Sequence, residues 1–192
     1  MKYLSVFDTD EEVLTALRDI YLRNDEPYDL DCTFSKGVFY KNIQKPKYKS
    51  DLIPLYDDVV KSDCRKLEFI DDNSLNSIVF DPPFLFRNRK SENKDKISDR
   101  FSCFTSYDEL ISMYSDSLDC FYRKLKNRGF VFFKCQDMTD GKFYCTHNAI
   151  INYATNNGFE LKDILIKKAS LNCKRTQNNK IALQKFTVTG WF

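Results

Sequence analysis

The stretch Ile78-Val79-Phe80-Asp81-Pro82-Pro83-Phe84 runs three apolar residues directly into a carboxylate, two prolines and an aromatic ring. The apolar triplet predicts a buried strand, and the prolines predict its end, because they cannot donate to a ladder and restrict the residue before them. At such a strand end Asp81 can accept a hydrogen bond from an exocyclic amino group. The carbonyl of Pro82 can accept a second, and Phe84 can stack on the ring that carries the amine. The amine lone pair is then left pointing at whatever electrophile occupies the adjoining pocket. The same four residues also have a plainer reading, in which Pro82 and Pro83 merely stop a strand and Phe84 joins the core. The rest of the chain has to decide between them.

Working outward, Thr9-x-x-Glu12 has capping-box form, and Val13, Leu14, Leu17, Ile20 and Tyr21 follow at helical spacing. A helix is expected over 10 to 23, stopped by Pro27, with a short strand from Tyr28 to Asp31. Extended segments are expected near Tyr48 to Ile53 and Val59 to Ser62. Residues 85 to 104 are polar and aperiodic, a long loop for a compact domain. Ser106 to Lys126 carries one apolar face, Arg128-Gly129 reads as its end, and Phe130 to Phe133 reads as another buried strand. A helix over 146 to 157, an extended run from Phe159 to Ala169, a polar turn and a last strand from Ile181 to Thr189 complete the pattern. Alternating strands and helices predict an α/β fold: a three-layer, Rossmann-like sheet, mostly parallel, ending in an antiparallel C-terminal hairpin.

Composition bounds the function classes. The chain has 192 residues, 42% hydrophobic and 30% charged, the size of one domain, and no stretch nears the roughly 20 apolar residues of a membrane span. Met1-Lys2-Tyr3-Leu4-Ser5 runs into acidic residues and lacks a signal-peptide core, so a soluble, intracellular protein is expected, cytoplasmic, or nuclear in a eukaryote. Seven cysteines include no Cys-x-x-Cys pair and His147 is the single histidine, a pattern that predicts free thiols and no metal. Charge is uneven. Residues 1 to 80 hold 11 Lys/Arg against 16 Asp/Glu, and residues 81 to 192 hold 19 against 12, so a surface for a polyanion belongs to the second half.

In an open parallel sheet, ligands bind beyond the carboxyl ends of the strands, near the reversal of strand order. Asp31 to Gly37 and Asp81 to Phe84 should both lie on that edge. Asp51 follows Asp31 by twenty positions, near the spacing of a ribose-binding acid, and Asp63 closes the weak strand before Asp81. The ordered set Asp31-Cys32-Thr33-Phe34-Ser35-Lys36-Gly37, Asp51, Asp63 and Asp81-Pro82-Pro83-Phe84 resembles the class I S-adenosylmethionine-dependent methyltransferases. Its last motif is similar to that of the DNA amino-methyltransferases, small phage-type members included, and the resemblance spans about residues 28 to 192. Ser35 stands where that family usually has the middle glycine of its first motif.

The resemblance implies S-adenosylmethionine as cofactor, with Asp31, Phe34, Ser35 and Gly37 at its methionine end, Asp51 on the ribose and Asp63 at the adenine. It implies Asp81, Pro82, Pro83 and Phe84 as catalytic residues and an exocyclic nucleobase nitrogen as target, with adenine in DNA as the leading expectation. An RNA base, or a non-catalytic methyltransferase-like subunit that binds nucleic acid or a partner, are the alternatives. Arg87, Arg89 and Lys90 in the loop, Lys134 and Gln136 after the strand at 130 to 133, and Lys174 and Arg175 in the late turn are the candidate substrate contacts. The charged ones among them also read as ordinary solvated charge. The resemblance leaves no stretch for a separate recognition domain, so target choice falls to these loops, to a protein partner or to a homodimer.

Overall fold

The structure, a computed structural model, describes residues 5–22, 26–86 and 104–168. In chain order the elements are β1 (Val6–Phe7), α1 (Asp10–Tyr21), β2 (Leu30–Asp31), a 3-10 turn (Val38–Tyr40), β3 (Tyr48–Asp51), β4 (Val60–Lys61) and β5 (Leu75–Phe80). After these come α2 (Tyr107–Lys124), β6 (Leu125–Phe133), β7 (Met138–Asp140), β8 (Lys142–Tyr144), α3 (Thr146–Asn156) and β9 (Ile166–Lys167). Five strands form one sheet in the order β4-β3-β2-β5-β6, every pair parallel. The chain steps outward from β2 to β4 and then returns to β5 on the other side of β2. That reversal opens a crevice at the carboxyl ends of β2 and β5, the ligand position of a Rossmann-like sheet.

The strands alternate their side chains between two cores. Ile78, Phe80, Val131 and Phe133 pack against Leu110, Tyr114, Leu118 and Phe121 of α2 and Ile150 and Ala154 of α3. Val79 and Phe132 point the other way, against Val13, Leu14 and Leu17 of α1. A period of two along strands with both faces covered explains the unbroken apolar runs that the sequence shows. α1 begins as expected: the Glu12 N–H donates to Thr9 Oγ1 at 3.1 Å and the Thr9 N–H donates to Glu12 Oε2 at 3.0 Å. α2 is capped by Ser106, with Asp108 and Glu109 in its first turn and Arg123 and Lys124 in its last, both favourable to the helix dipole.

Three expectations change. Arg128-Gly129 does not end α2: the helix stops at Lys124 and β6 starts at once, with Arg128 in the left-handed region absorbing an irregularity in the β5 register. A Cβ on Gly129 would lie 3.1 Å from the Leu75 carbonyl, so a side chain there would crowd the paired strand. The crossovers from β2 to β3 and from β3 to β4 contain only the 3-10 turn, and α1, which precedes the sheet, covers that face instead. The run after Phe159 is mostly irregular, with β9 pairing in parallel with β1. The hairpin expected from the last strand lies outside the described residues, and the antiparallel hairpin that is present joins β7 to β8. Among the described residues no helix is long and apolar enough to cross a membrane.

Asp29 locks the entry to β2. Its Oδ1 accepts from Lys47 Nζ at 2.7 Å, its Oδ2 from the Asn76 backbone and side-chain amides, and its own N–H donates to Ser77 Oγ at 2.8 Å. Burial alone would raise its pKa, but Lys47 and Asn76 outweigh that and hold it below the ordinary carboxylate value. Asp29→Ala should cost about 2–3 kcal/mol, because it strands buried donors and the half-exposed Lys47 recovers only part of its loss in water. Urea unfolding at neutral pH measures this. Since the native pKa is depressed, the contribution is present above pH about 4 and fades as pH falls through the native value, so the gap between wild type and variant should close in acid.

Candidate functional site

The site grows from two strand ends that lie side by side. β2 and β5 are paired with Leu30 opposite Ile78 and Asp31 opposite Val79, so Asp31 ends one strand beside the point where Asp81 leaves the other. Asp31 is buried. Its Oδ1 accepts from the Thr33 N–H at 2.9 Å and its Oδ2 from the Tyr40 hydroxyl at 2.7 Å. Thr33 then joins the two turns: its hydroxyl lies 3.4 Å from Asp31 Oδ1 and accepts the Asp81 backbone N–H at 2.8 Å. Burial pushes Asp31 up to about 7, against the pull of Tyr40 and Thr33 and with a further push from Asp81. Burial and the neighbouring Asp31 likewise push the Tyr40 phenol far above its ordinary value.

The turn from Asp31 to Gly37 keeps a glycine-like backbone although it holds one glycine. Ser35 has φ 47° and Gly37 φ 62°, both left-handed. The Ser35 N–H donates to Asp51 Oδ2 at 2.8 Å, and Asp51 Oδ1 accepts from Ile53, so Asp51 ties the turn to the end of β3. A Cβ on Gly37 would meet the Phe34 ring at 2.5 Å. Phe34 itself is buried and stacked on Tyr40 with ring centroids 5.7 Å apart. Phe34 thus packs within the turn that the sequence places at the methionine end. Asp63 lies at the β4 edge, two strands from β2, where Arg65 grips both of its oxygens and holds its pKa below the ordinary value.

Asp81 is partly exposed, and its Oδ2 lies 3.3 Å from Lys134 Nζ. Lys134, from the end of β6, also reaches Asp10 at 3.0 Å, and Lys167 closes on the other oxygen of Asp10 at 3.2 Å. Burial acts to lower the Lys134 pKa, but Asp81 and Asp10 together hold it above the ordinary value. Its ammonium sits over the rings of Phe39 and Phe84, 4.9 and 5.8 Å from their centroids. Pro82 is buried, and the Pro83 carbonyl accepts from the Tyr114 hydroxyl at 2.8 Å, which fixes the second proline against α2. The hollow beside Asp81, lined by Asp10, Val13, Phe39, Phe80 and Lys134, measures about 20 Å³. That is room for one water. Phe39, α1 and Lys134 wall this hollow on the face that α1 covers.

A larger cleft of about 500 Å³ opens two residues beyond Phe84, lined by Phe86, Tyr107, Asp108, Lys142, Tyr144 and Cys145. Its wall is an aromatic triad, with Phe86, Tyr107 and Tyr144 centroids 4.5 to 5.7 Å apart. Gln136 follows β6, partly buried. Arg87, Arg89, Lys90, Lys174 and Arg175 lie outside the described residues. Sequence reasoning missed Thr33, Tyr40 and Asp10, and it missed the convergence of Asp137, Cys145 and His147. Cys145-x-His147 was the available signal for that last group, concealed by the absence of any paired-cysteine spacing.

No protein-family model matches the chain, and no curated protein matches it. Among solved structures, a SAM dependent methyltransferase from Archaeoglobus fulgidus is similar, with a TM-score of 0.45 and 15% identity over 94% of this chain and 90% of that one. At that distance the strand order, rather than the neighbour, carries the fold.

Proposed function

We propose that the chain transfers a methyl group from S-adenosylmethionine to an exocyclic amino nitrogen of a nucleobase, with adenine in DNA the preferred target. The observation that carries this reading is the Asp81-Pro82-Pro83-Phe84 turn leaving β5 at the reversal of strand order, tied through Thr33 to the turn that begins at Asp31. The donor set suits the cofactor: a left-handed turn at Ser35 and Gly37 for the methionine end, and the carboxylates of Asp51 and Asp63 for the ribose and adenine. When bound, S-adenosylmethionine supplies an electrophilic methyl on a sulfonium. Asp81 and the Pro82 carbonyl accept the two N–H bonds of the amine, drawing its lone pair out of ring conjugation, and Phe84 stacks on the base. The proton left on the methylated nitrogen passes to Asp81 or water. The basic balance of residues 81 to 192 suits a polyanionic substrate.

A second reading, a non-catalytic methyltransferase-like subunit, is favoured by two observations: the hollow beside Asp81 measures only about 20 Å³, and Lys134 already engages the carboxylate. Incubation with methyl-labelled donor and mixed DNA and RNA, followed by mass spectrometry of nucleosides, separates these readings. Label on the adenine amino group of DNA is the expected result. Label in RNA nucleosides or on cytosine reassigns the substrate. An absence of label, together with no heat on titrating S-adenosylmethionine into the protein, overturns the enzyme reading and leaves the binding subunit.

A further inference from the structure

At the base of the β7–β8 hairpin three side chains of unlike chemistry converge. Asp137 precedes β7, Cys145 follows β8, and His147 lies in the first turn of α3. Both Asp137 carboxylate oxygens lie 2.8 Å from His147 Nδ1, Cys145 Sγ lies 3.7 Å from each ring nitrogen, and one ligand atom from each residue falls within 4.8 Å of the others. We propose that this is a binding site for a divalent transition metal of the zinc class, with three ligands from the chain and a fourth position open to an exogenous one. The inference stands independently of the methyl-transfer reading.

One hard oxygen, one imidazole nitrogen and one soft sulfur make a donor set suited to zinc rather than to magnesium or calcium, which take oxygen ligands. Tetrahedral bonding at about 2.0–2.3 Å spaces ligand atoms roughly 3.3–3.7 Å apart. The sulfur-to-nitrogen edge already has that length, and the nitrogen-to-oxygen edge needs only to open by tenths of an ångström as a cation enters between them. The set is held in place before any metal arrives: the His147 backbone N–H donates to Asp137 Oδ1 at 3.2 Å, tying the two ends of the hairpin, and the intervening Thr146 is fully buried. Asp137 is buried while Cys145 and His147 are partly exposed, which gives an ion a way in. Cys145 lines the 500 Å³ cleft, so a fourth ligand has room.

The competing use of the same residues is a thiol nucleophile activated by a His–Asp pair. That chemistry needs one ring nitrogen within hydrogen-bond reach of sulfur and aimed at it. A sulfur equidistant from both nitrogens lies off both of their lone-pair directions, and 3.7 Å is long.

Titration of the purified, metal-stripped chain with Co²⁺ tests the site. The expected result is one ion per chain, with intense visible bands of tetrahedral cobalt, a thiolate-to-cobalt charge-transfer band, displacement by Zn²⁺, and a rise in melting temperature. Cys145→Ser should abolish the charge-transfer band, and His147→Gln should weaken binding at least tenfold. Cys64→Ser, which alters a thiol held by Ser117 elsewhere in the fold, should leave both unchanged. No charge-transfer band in the wild type, or a band and affinity that survive Cys145→Ser and His147→Gln, would overturn the proposal. Circular dichroism of each variant separates loss of ligand from loss of fold.

Discussion

Replacing Asp81 with alanine is expected to lower the methyl-transfer rate by about 10²–10³-fold while the chain stays folded. The size of the loss follows from what the carboxylate does in the proposed reaction. It is the charged acceptor for the amine, so its interaction strengthens as positive charge builds on nitrogen during attack, and the neutral Pro82 carbonyl cannot replace it. The stability cost should be about 1 kcal/mol or less. Asp81 is partly exposed, its link to Thr33 runs through its backbone N–H, and Lys134 keeps Asp10 as a counter-charge when Asp81 is gone. Asp81→Asn refines the test, since it retains an acceptor and removes the charge; an intermediate rate is expected. Initial rates with labelled donor, read beside thermal melts, check both variants. A rate unchanged in Asp81→Ala would detach the Asp-Pro-Pro-Phe turn from the chemistry.

Much of this arrangement is legible in the sequence because it rests on local patterns. The Thr9–Glu12 box, the apolar face of α2 and the runs ending at Phe80 and Phe133 are each written within a few residues, and these elements formed where the pattern put them. The parallel pairing of β5 with β6 follows from the helix between them, whereas the meeting of Asp31 and Asp81 depends on the strand order. What could not be read locally is pairing across long separations. Lys134 reaches Asp10 across the sheet, Tyr40 folds back from a 3-10 turn onto Asp31, and Asp137 meets His147 around a hairpin. Their partners are set by topology and leave no periodic trace. The same reason explains the small hollow. Nothing about Phe39 in the sequence says that it will cap Lys134 and line the hollow beside Asp81.

Asp31→Asn is expected to make the chain more stable at neutral and alkaline pH and to flatten a pH dependence that the wild type should show. The carboxyl ionises near its ordinary 3.8 in the unfolded chain and only at about 7 in the native fold, where burial disfavours the charge more than Tyr40 and Thr33 favour it. Between those values the unfolded state has released a proton that the native state still holds. Stability from this group therefore falls as pH rises from about 4 to 7 and is level above, a loss on the order of 4 kcal/mol for three pH units. Asparagine cannot ionise and escapes the loss. It keeps one acceptor for the Thr33 amide and turns the Tyr40 contact around, its amide donating to the phenol oxygen, at a cost of about 1–2 kcal/mol. The net gain above pH 7 should then be about 2 kcal/mol, with little or no gain near pH 4. Urea unfolding of both proteins across this range decides it, and parallel curves would refute the burial argument. On the proposed reading, a buried acid that weakens the fold at neutral pH, placed one threonine away from Asp81, is a conflict between stability and local chemistry of the kind functional sites carry. The stabilised variant should for that reason bind S-adenosylmethionine more weakly than the wild type, which calorimetry on the same samples will measure.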